Sequence, residues 1–143
     1  MADWYLCPEY AHLREEFGSL EAVFNLDGER VTHDPISEVV RVRRAGVVFY
    51  VKRYRRALGW RKYLPRQRIQ AEWENLEYFA RWDIPTAQVI ARGLQRRAGA
   101  FVRGAMITRE IPNTKDLADL AHHNSPLLQD AKWVRSVSQQ VAD

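Results

Sequence analysis

The sequence predicts an α+β fold in which a five-stranded antiparallel sheet carries one main helix and is followed by helices at the carboxyl end. Two β-branched runs, residues 37–44 and 47–54, flank an Ala-Gly pair, which predicts an antiparallel hairpin. Apolar residues recur at spacings of three and four over residues 67–82, which predicts an amphipathic helix that a proline ends. Two further strand-like segments, residues 86–91 and 100–108, follow that helix.

The amino-terminal residues supply the other predicted elements of this sheet domain. Residues 9–17 predict a short helix that ends at Gly18, and residues 20–26 predict the first of the five strands. Residues 27–36 contain a glycine, an aspartate and a proline, which together predict a loop.

The carboxyl-terminal residues predict helices. Asn113 is a suitable helix cap, and residues 127–143 again have apolar residues at helical spacing. Because the pattern continues to the last residue, we expect the chain to be the first part of a longer protein. The predicted domains are residues 1–112 and the start of a helical domain, residues 113–143. The apolar stripe of the carboxyl-terminal helices consists of Leu117, Leu120, Ala121, Val134, Val137 and Val141.

The composition limits the class of protein. The 143 residues are 46% hydrophobic and 11% aromatic, which is enough for one folded domain and argues against disorder. No apolar run approaches the roughly 18 residues of a membrane-spanning helix, and the amino terminus lacks the pattern of a signal peptide. Cys7 has no second cysteine with which to form a disulfide. We therefore expect a cytoplasmic protein with no metal site in this chain.

A basic segment, residues 53–68, has seven positive side chains and no acidic one. Such a segment attracts an anionic partner, which could be nucleotide phosphates, a phosphorylated lipid surface or nucleic acid. Trp60 and Tyr63 lie within it and could stack on bases, whereas the alternative interpretation is a solvated connection. The positive residues are Arg53, Arg55, Arg56, Arg61, Lys62, Arg66 and Arg68.

Lys52 and Glu72 are the candidate residues for chemistry. Lys52 ends an apolar strand and shares its face with Tyr50, so its amine needs an anionic partner if that face is buried. Glu72 shares a helix face with Leu76 and Phe79, so it faces the predicted core and could pair with Lys52. The alternative places the amine at a strand end in solvent and the carboxylate on an ordinary helix flank.

Four short motifs, taken in order, resemble those of the Kdo/WaaP lipopolysaccharide kinase family. Residues Phe49–Lys52 are similar to the strand motif that ends in lysine in protein-kinase-like folds. Ala71–Trp73 resembles the opening of the helix that follows, and Ile84–Thr86 resembles the turn after that helix. Met106–Glu110 resembles the strand end that leads into the hinge between two lobes. The resemblance extends from about Ser37 to Leu120.

The resemblance implies the amino-terminal, ATP-binding lobe of a bacterial kinase with heptose or Kdo of the lipopolysaccharide core as acceptor. Lys52 would hold the α- and β-phosphates of ATP, and Glu72 would pair with Lys52. The hinge, with Thr108, Glu110 and Ile111, would bond adenine through its backbone groups.

The resemblance also implies that residues 27–37 lie over the phosphates, with His33 and Ser37 as candidate contacts. Only Gly28 is present where a glycine-rich loop would place its backbone amides against phosphate, and Tyr50 is bulkier than the residue protein kinases have there. The catalytic aspartate and the Mg²⁺ ligands would follow the hinge, beyond this chain. We therefore expect no phosphoryl transfer by the chain alone.

The expected partners are a nucleotide, a lipopolysaccharide core sugar and the anionic surface of the inner membrane. Self-association through residues 114–143 is also expected, because their apolar stripe has no evident partner. Two alternatives remain open. One is a small basic nucleic-acid-binding domain, and the other is a pseudokinase-like lobe that binds a partner.

Overall fold

The computed structural model describes residues 2–114 and 121–142, and the chain divides into two compact units, Met1–Glu110 and Ile111–Asp143. The described part of the first unit holds a six-stranded antiparallel sheet and three α-helices. Its strands are β1 (Ala2–Leu6), β2 (Glu29–His33), β3 (Ser37–Arg44), β4 (Val47–Tyr54), β5 (Val89–Arg97) and β6 (Ala100–Arg109), and its helices are α1 (Arg14–Phe17), α2 (Leu20–Phe24) and α3 (Arg68–Arg81).

The strands lie in the order β1-β5-β6-β4-β3-β2, so β4 and β6 are at the centre of the sheet. The predicted hairpin is confirmed, because β3 and β4 have the predicted bounds and pair antiparallel. Its turn has positive φ angles at Ala45 (50°) and Gly46 (78°), which is the backbone of a two-residue turn matching the twist of the strands. Glycine at the second position adopts this conformation without steric cost.

The prediction of five strands is wrong, because residues 20–26 form α2 instead of a strand. The Oγ of Ser19 accepts a hydrogen bond from the amide of Ala22 at 3.1 Å, which caps the helix. Leu20 and Val23, three residues apart, are both buried, as a short helix requires.

Two strands lie where the sequence predicted none. β2 falls in the predicted loop, and all five of its residues are exposed, so it lacks the apolar alternation that identifies a strand. β1 forms the opposite edge of the sheet and pairs with β5, with Trp4 opposite Gly93. A β-carbon at Gly93 would meet the backbone oxygen of Asp3 at 2.0 Å, so only glycine fits this pairing.

The sheet is covered on both faces. On one face Phe17, Leu20 and Val23 of the amino-terminal helices pack with strand residues that include Phe49 and Val51. On the other face α3 contributes Ile69 and Trp73 to a second core. Of the predicted core, Phe49, Val51, Ile90 and Ile107 are buried, and Val47 and Leu76 pack against the cores as partly buried residues.

Helix α3 lies within the predicted range. Gln67 and Gln70 form a reciprocal capping box at its start, and the chain turns at Asp83, whose φ is 55°. Phe79 was predicted to be in the core and is 40% exposed, because the stripe of α3 leaves the sheet in its last turn. Trp82, at the helix end, is 68% exposed.

The described part of the second unit holds a 3-10 turn, Pro126–Gln129, and helix α4, Ala131–Ala142. Asp130 caps α4, since its Oδ1 accepts from the amide of Lys132 at 2.9 Å. The helix predicted after Asn113, with Leu117 and Leu120, falls mainly on residues 115–120, outside the described residues. The division into a lobe with a hinge and the start of a second lobe stays a prediction. Over residues 2–114 and 121–142, no helix combines the length and apolar character needed to cross a membrane.

Candidate functional site

Lys52 and Glu72 form the predicted ion pair. The Nζ of Lys52, near the end of β4, lies 2.6 Å from Oε2 of Glu72 on α3. The two side chains are 27% and 25% exposed, so the pair is partly shielded but open to small molecules. β4 places the lysine on the face that α3 covers, and the carboxylate points back from the second turn of the helix.

Tyr54 holds the other carboxylate oxygen and was missed from the sequence. Its hydroxyl donates to Oε1 of Glu72 at 2.6 Å, and its side chain is buried. Burial and the hydrogen bond to Glu72 raise the pKa of Tyr54 well above its ordinary value, so the phenol stays a donor. Arg68 Nε lies 3.6 Å from the same oxygen. The sequence signal was present, because Tyr54 is two residues from Lys52 and therefore on the same face of the strand.

The sheet face around Lys52 has a partly open apolar surface. Residues that lie directly opposite each other in an antiparallel pair share a face, and Lys52 lies opposite Val39 on β3 and Met106 on β6. Tyr50 likewise lies opposite Thr108. Val39, Tyr50 and Thr108 are half-buried. The ammonium group of Lys52 therefore lies beside a partly exposed surface, formed by Val39, Tyr50 and Thr108, on which a flat ring could pack.

Glu110 belongs to the predicted hinge, and its side chain contacts Tyr50 of this surface. Its Oε1 accepts from the hydroxyl of Tyr50 at 2.9 Å and lies 3.9 Å from Nη2 of Arg41. Burial and this hydrogen bond raise the pKa of Tyr50. The backbone amide of Glu110 donates to the carbonyl of Val48 at 2.9 Å, so it extends the strand pairing. Ile111 is exposed and is the first residue of the second unit.

The predicted phosphate loop, residues 27–37, contains β2 and the short turn that connects β2 to β3. His33 is the last residue of β2, and Ser37 is the first of β3, opposite Tyr54. The carboxylate of Asp34 accepts from the amides of Ile36 and Ser37, both at 2.8 Å, and from the Ser37 hydroxyl at 2.9 Å. These bonds lower the pKa of Asp34. Of the two candidate phosphate contacts, Ser37 thus already donates its amide and its hydroxyl to a side-chain carboxylate.

The prediction that Arg53 contacts an external anion is wrong. Arg53 is 5% exposed and donates to Oε1 of Glu38 at 3.3 Å and to the carbonyl of Leu26. Arg55 also donates to Glu38. Burial alone would raise the pKa of Glu38, but the hydrogen bonds from Arg55 and Arg53 outweigh it and lower the pKa. Strand alternation explains the error, because Arg53 faces away from Lys52, toward the amino-terminal core.

The rest of the basic segment is on the surface. Arg56 and Arg61 are exposed, and Lys62 is half-buried with Nζ 5.1 Å from the ring centre of Tyr63. Among the residues that the structure describes, no group of three or more His, Cys, Asp or Glu side chains could hold a metal ion. The prediction that the Mg²⁺ ligands lie beyond this chain therefore stays a prediction.

Comparison with known proteins gives a family and a fold. The model of the Lipopolysaccharide kinase (Kdo/WaaP) family matches residues 19–143. A solved structure, "WaaP in complex with acyl carrier protein", matches with a TM-score of 0.62 and 22% identity. The match covers 84% of this chain and 45% of that chain, so this chain spans less than half of that protein. No curated protein matches the chain. The family match, over nearly the whole chain and including the Lys52–Glu72 pair, shows that the chain belongs to the Kdo/WaaP lipopolysaccharide kinase family.

Proposed function

We propose that the chain is the ATP-binding half of a sugar kinase that phosphorylates heptose or Kdo of the bacterial lipopolysaccharide inner core. The observation that carries the proposal is the Lys52–Glu72 ion pair beside a partly open sheet face, in a chain of this family. The activity of the whole protein is part of the proposal, because the chain spans 45% of the WaaP structure.

The ion pair fits the task of holding phosphate oxygens. An ammonium group has three donors, and one of them is directed to Glu72, which leaves two for a ligand. Tyr54 binds the second oxygen of Glu72, so the carboxylate cannot rotate freely and the amine keeps its direction. An oriented cation of this kind stabilises the charge on transferring phosphoryl groups.

The surface next to Lys52 fits a nucleotide base. Val39, Tyr50 and Thr108 supply contacts for a flat ring on the same sheet face. Of the hinge amides, those of Arg109 and Glu110 already donate to Gln88 and Val48. We therefore propose that the amide donor for adenine comes from Ile111, next in the chain.

Bound ATP would supply the phosphoryl group, with Mg²⁺ neutralising its charge. We place the metal ligands and the catalytic aspartate in the residues that follow this chain in the complete protein. The chain by itself is then a nucleotide-binding protein without transfer activity. Because its acceptor would be a lipopolysaccharide precursor, we propose that the complete enzyme works in the cytoplasm, peripherally on the inner membrane.

Isothermal titration of the chain with MgATP tests the proposal. Lys52→Met should weaken ATP binding by roughly 10- to 100-fold, since a hydrogen bond to a charged group contributes about 1.5–3 kcal/mol. Lys132→Met, an exposed lysine on α4, is the matched control and should bind ATP like the parent chain. An affinity for ATP that Lys52→Met leaves unchanged, in a variant with a normal melting curve, would contradict the proposed nucleotide site.

A further inference from the structure

A pocket of about 130 Å³ lies within the basic segment and adjoins the Lys52–Glu72 pair, because Tyr54 and Arg68 line it and also contact Glu72. It is partly open, and it is lined by the residues after β4, by Arg61 of the 3-10 turn Gly59–Tyr63, by the start of α3 and by Ile36. Neither Lys52 nor Glu72 lines it. The proposed kinase function leaves this pocket unexplained.

The floor of the pocket is apolar. Ile69, Phe101 and Tyr54 line it and are 1%, 6% and 4% exposed. The Tyr54 hydroxyl already donates its hydrogen bond to Glu72, so it does not need a polar ligand as a partner. A surface without free donors or acceptors favours a hydrocarbon over ordered water.

Gln67 also lines the pocket, but its polar atoms are all bonded within the protein and offer no hydrogen bond to a ligand. It is 6% exposed, and its side-chain amide donates to the carbonyls of Arg61 and Leu64, both at 3.0 Å. Its side-chain oxygen accepts from the backbone of α3 in the capping box. All its polar atoms are therefore used to hold the 3-10 turn against the helix, which keeps the pocket formed.

Four arginines line the same pocket. Arg66 and Arg68 each pair with a glutamate of α3. Arg56 and Arg61 are exposed and form no ion pair within residues 2–114 and 121–142. The guanidinium groups of Arg56 and Arg61 can bind an anionic group, and the apolar floor beside them can bind a hydrocarbon chain. The pocket therefore suits a ligand that has both parts.

The residues around the pocket also suit a lipid surface. Trp60 and Tyr63 of the 3-10 turn are 71% and 60% exposed, and Leu58 is 55% exposed. Aromatic side chains between basic ones are typical of segments that lie at the headgroup level of a membrane. Arg56, Arg61 and Lys62 form no ion pair within residues 2–114 and 121–142, and their charges add the attraction to an anionic leaflet.

We propose that this pocket binds the end of one acyl chain of an anionic phospholipid, whose phosphate lies between Arg56 and Arg61. The volume corresponds to about four methylene-sized groups, taking the roughly 30 Å³ that a water occupies in the liquid. Each buried methylene contributes roughly fourfold to affinity, so the chain end adds substantially to the binding of the phosphate. The pocket thus anchors the protein to single lipids of the membrane, beyond general attraction to its surface.

Dodecyl phosphate, below its micelle-forming concentration, is the soluble probe, and titration calorimetry measures its affinity. Two ligands serve as comparisons. Inorganic phosphate has the anionic group but no hydrocarbon chain, and dodecyl maltoside has the chain but no charge. Both should bind at least roughly tenfold more weakly than dodecyl phosphate, because each lacks one of the two contacts. Equal binding of inorganic phosphate and dodecyl phosphate would overturn the acyl-chain site.

Two variants test the two parts of the pocket. Ala57→Phe fills it without a change of charge and should weaken dodecyl phosphate at least roughly tenfold. Arg56→Gln with Arg61→Gln changes only exposed side chains and should weaken it roughly 30-fold, since each basic residue contributes about fivefold near anionic lipid. The matched control is Arg43→Gln with Arg97→Gln, which removes two exposed arginines elsewhere and should leave binding unchanged.

Vesicles of phosphatidylcholine with and without phosphatidylglycerol extend the test to a membrane. Co-sedimentation should require phosphatidylglycerol and should weaken in Ala57→Phe. If the control pair lowers sedimentation as much as Arg56→Gln with Arg61→Gln, net charge alone explains binding and the proposal fails. If a single-stranded oligonucleotide displaces the vesicles and Ala57→Phe has no effect, the segment is a nucleic-acid surface and the proposal also fails. No arm contains nucleotide, so the outcome is independent of the kinase test.

Discussion

The Tyr54 hydroxyl holds the carboxylate of Glu72 in place through a hydrogen bond. Tyr54→Phe removes that hydrogen bond from a buried position and should lower the free energy of unfolding by about 1–2 kcal/mol. It should also weaken MgATP binding, because Glu72 would no longer hold Lys52 in one direction. Urea unfolding and calorimetry measure the two effects. Tyr78→Phe, at a tyrosine that is 49% exposed, should change neither quantity, and an equal loss in both variants would contradict the role of Tyr54.

Glu38 is the acidic residue whose protonation should matter most for stability. It is 3% exposed and accepts hydrogen bonds from Arg53 and Arg55, which hold its pKa below the ordinary 4.5. A lowered pKa in the folded state means that this stabilisation is complete above about pH 4.5 and is lost as the pH falls through the folded-state value. Removing one partner of a buried ion pair costs about 3–5 kcal/mol.

Glu38→Gln should therefore lower the free energy of unfolding by about 3–5 kcal/mol at pH 7. The difference from the parent chain should shrink below about pH 4.5, as Glu38 itself becomes protonated. Urea unfolding across this pH range gives the measurement. Glu74→Gln, which breaks the more exposed pair with Arg66, should cost less than about 1 kcal/mol at any pH. A pH-independent effect of Glu38→Gln would exclude the ion pairs as its cause.

Alternation in a strand and a stripe on a helix made Lys52 and Glu72 candidates, and the family resemblance then implied their pairing. The sequence did not identify the partners that hold them. The prediction for Arg53 is wrong because it assigns one environment to the whole basic segment. Arg53 is the first residue of that segment, but it still belongs to β4 and its side chain points to Glu38. Charge composition over a window does not tell which side of a strand each charge occupies.

At the scale of elements, the hairpin β3–β4 and helix α3 were predictable because a turn pair and a long stripe specify them locally. β1 and β2 are edge strands, and their positions depend on pairing with β5 and β3. The pattern of residues 20–26 fits either a strand or a helix over so short a run. The Ser19 cap and the contact with the sheet decide for the helix.

The role of this cap gives a direct test. Ser19→Ala removes the acceptor for the amide of Ala22 and should lower the free energy of unfolding by about 1 kcal/mol. Ser19→Asp keeps an acceptor at the same position and adds a negative charge at the helix start, so it should retain the stability of the parent chain. Thermal or urea unfolding compares the three proteins. If aspartate destabilises α2 as much as alanine does, the cap does not explain why residues 20–24 are helical.

At the scale of the whole molecule, the two units differ in how they bury apolar side chains. The sheet unit has two cores of buried side chains, whereas none of the described residues 111–114 and 121–140 is buried. In the described part of the second unit, Leu127, Leu128 and Val134 are 37%, 36% and 38% exposed. Apolar side chains that are exposed together on a short segment favour association with another apolar surface.

We therefore predict that the chain self-associates through residues 114–143, with a second copy as the partner in a solution of the pure protein. Light scattering should give a mass above that of one chain, and the mass should fall on dilution. Leu127→Ser with Val134→Ser should shift the equilibrium to the monomer, because both changes remove apolar contact without altering the sheet unit. Val31→Ser with Val102→Ser, at residues of the sheet that are 48% and 37% exposed, is the matched control and should leave the mass unchanged. A chain ending at Asn113 should be monomeric for the same reason. A parent chain that is already monomeric at high concentration would show that these side chains are not an association surface.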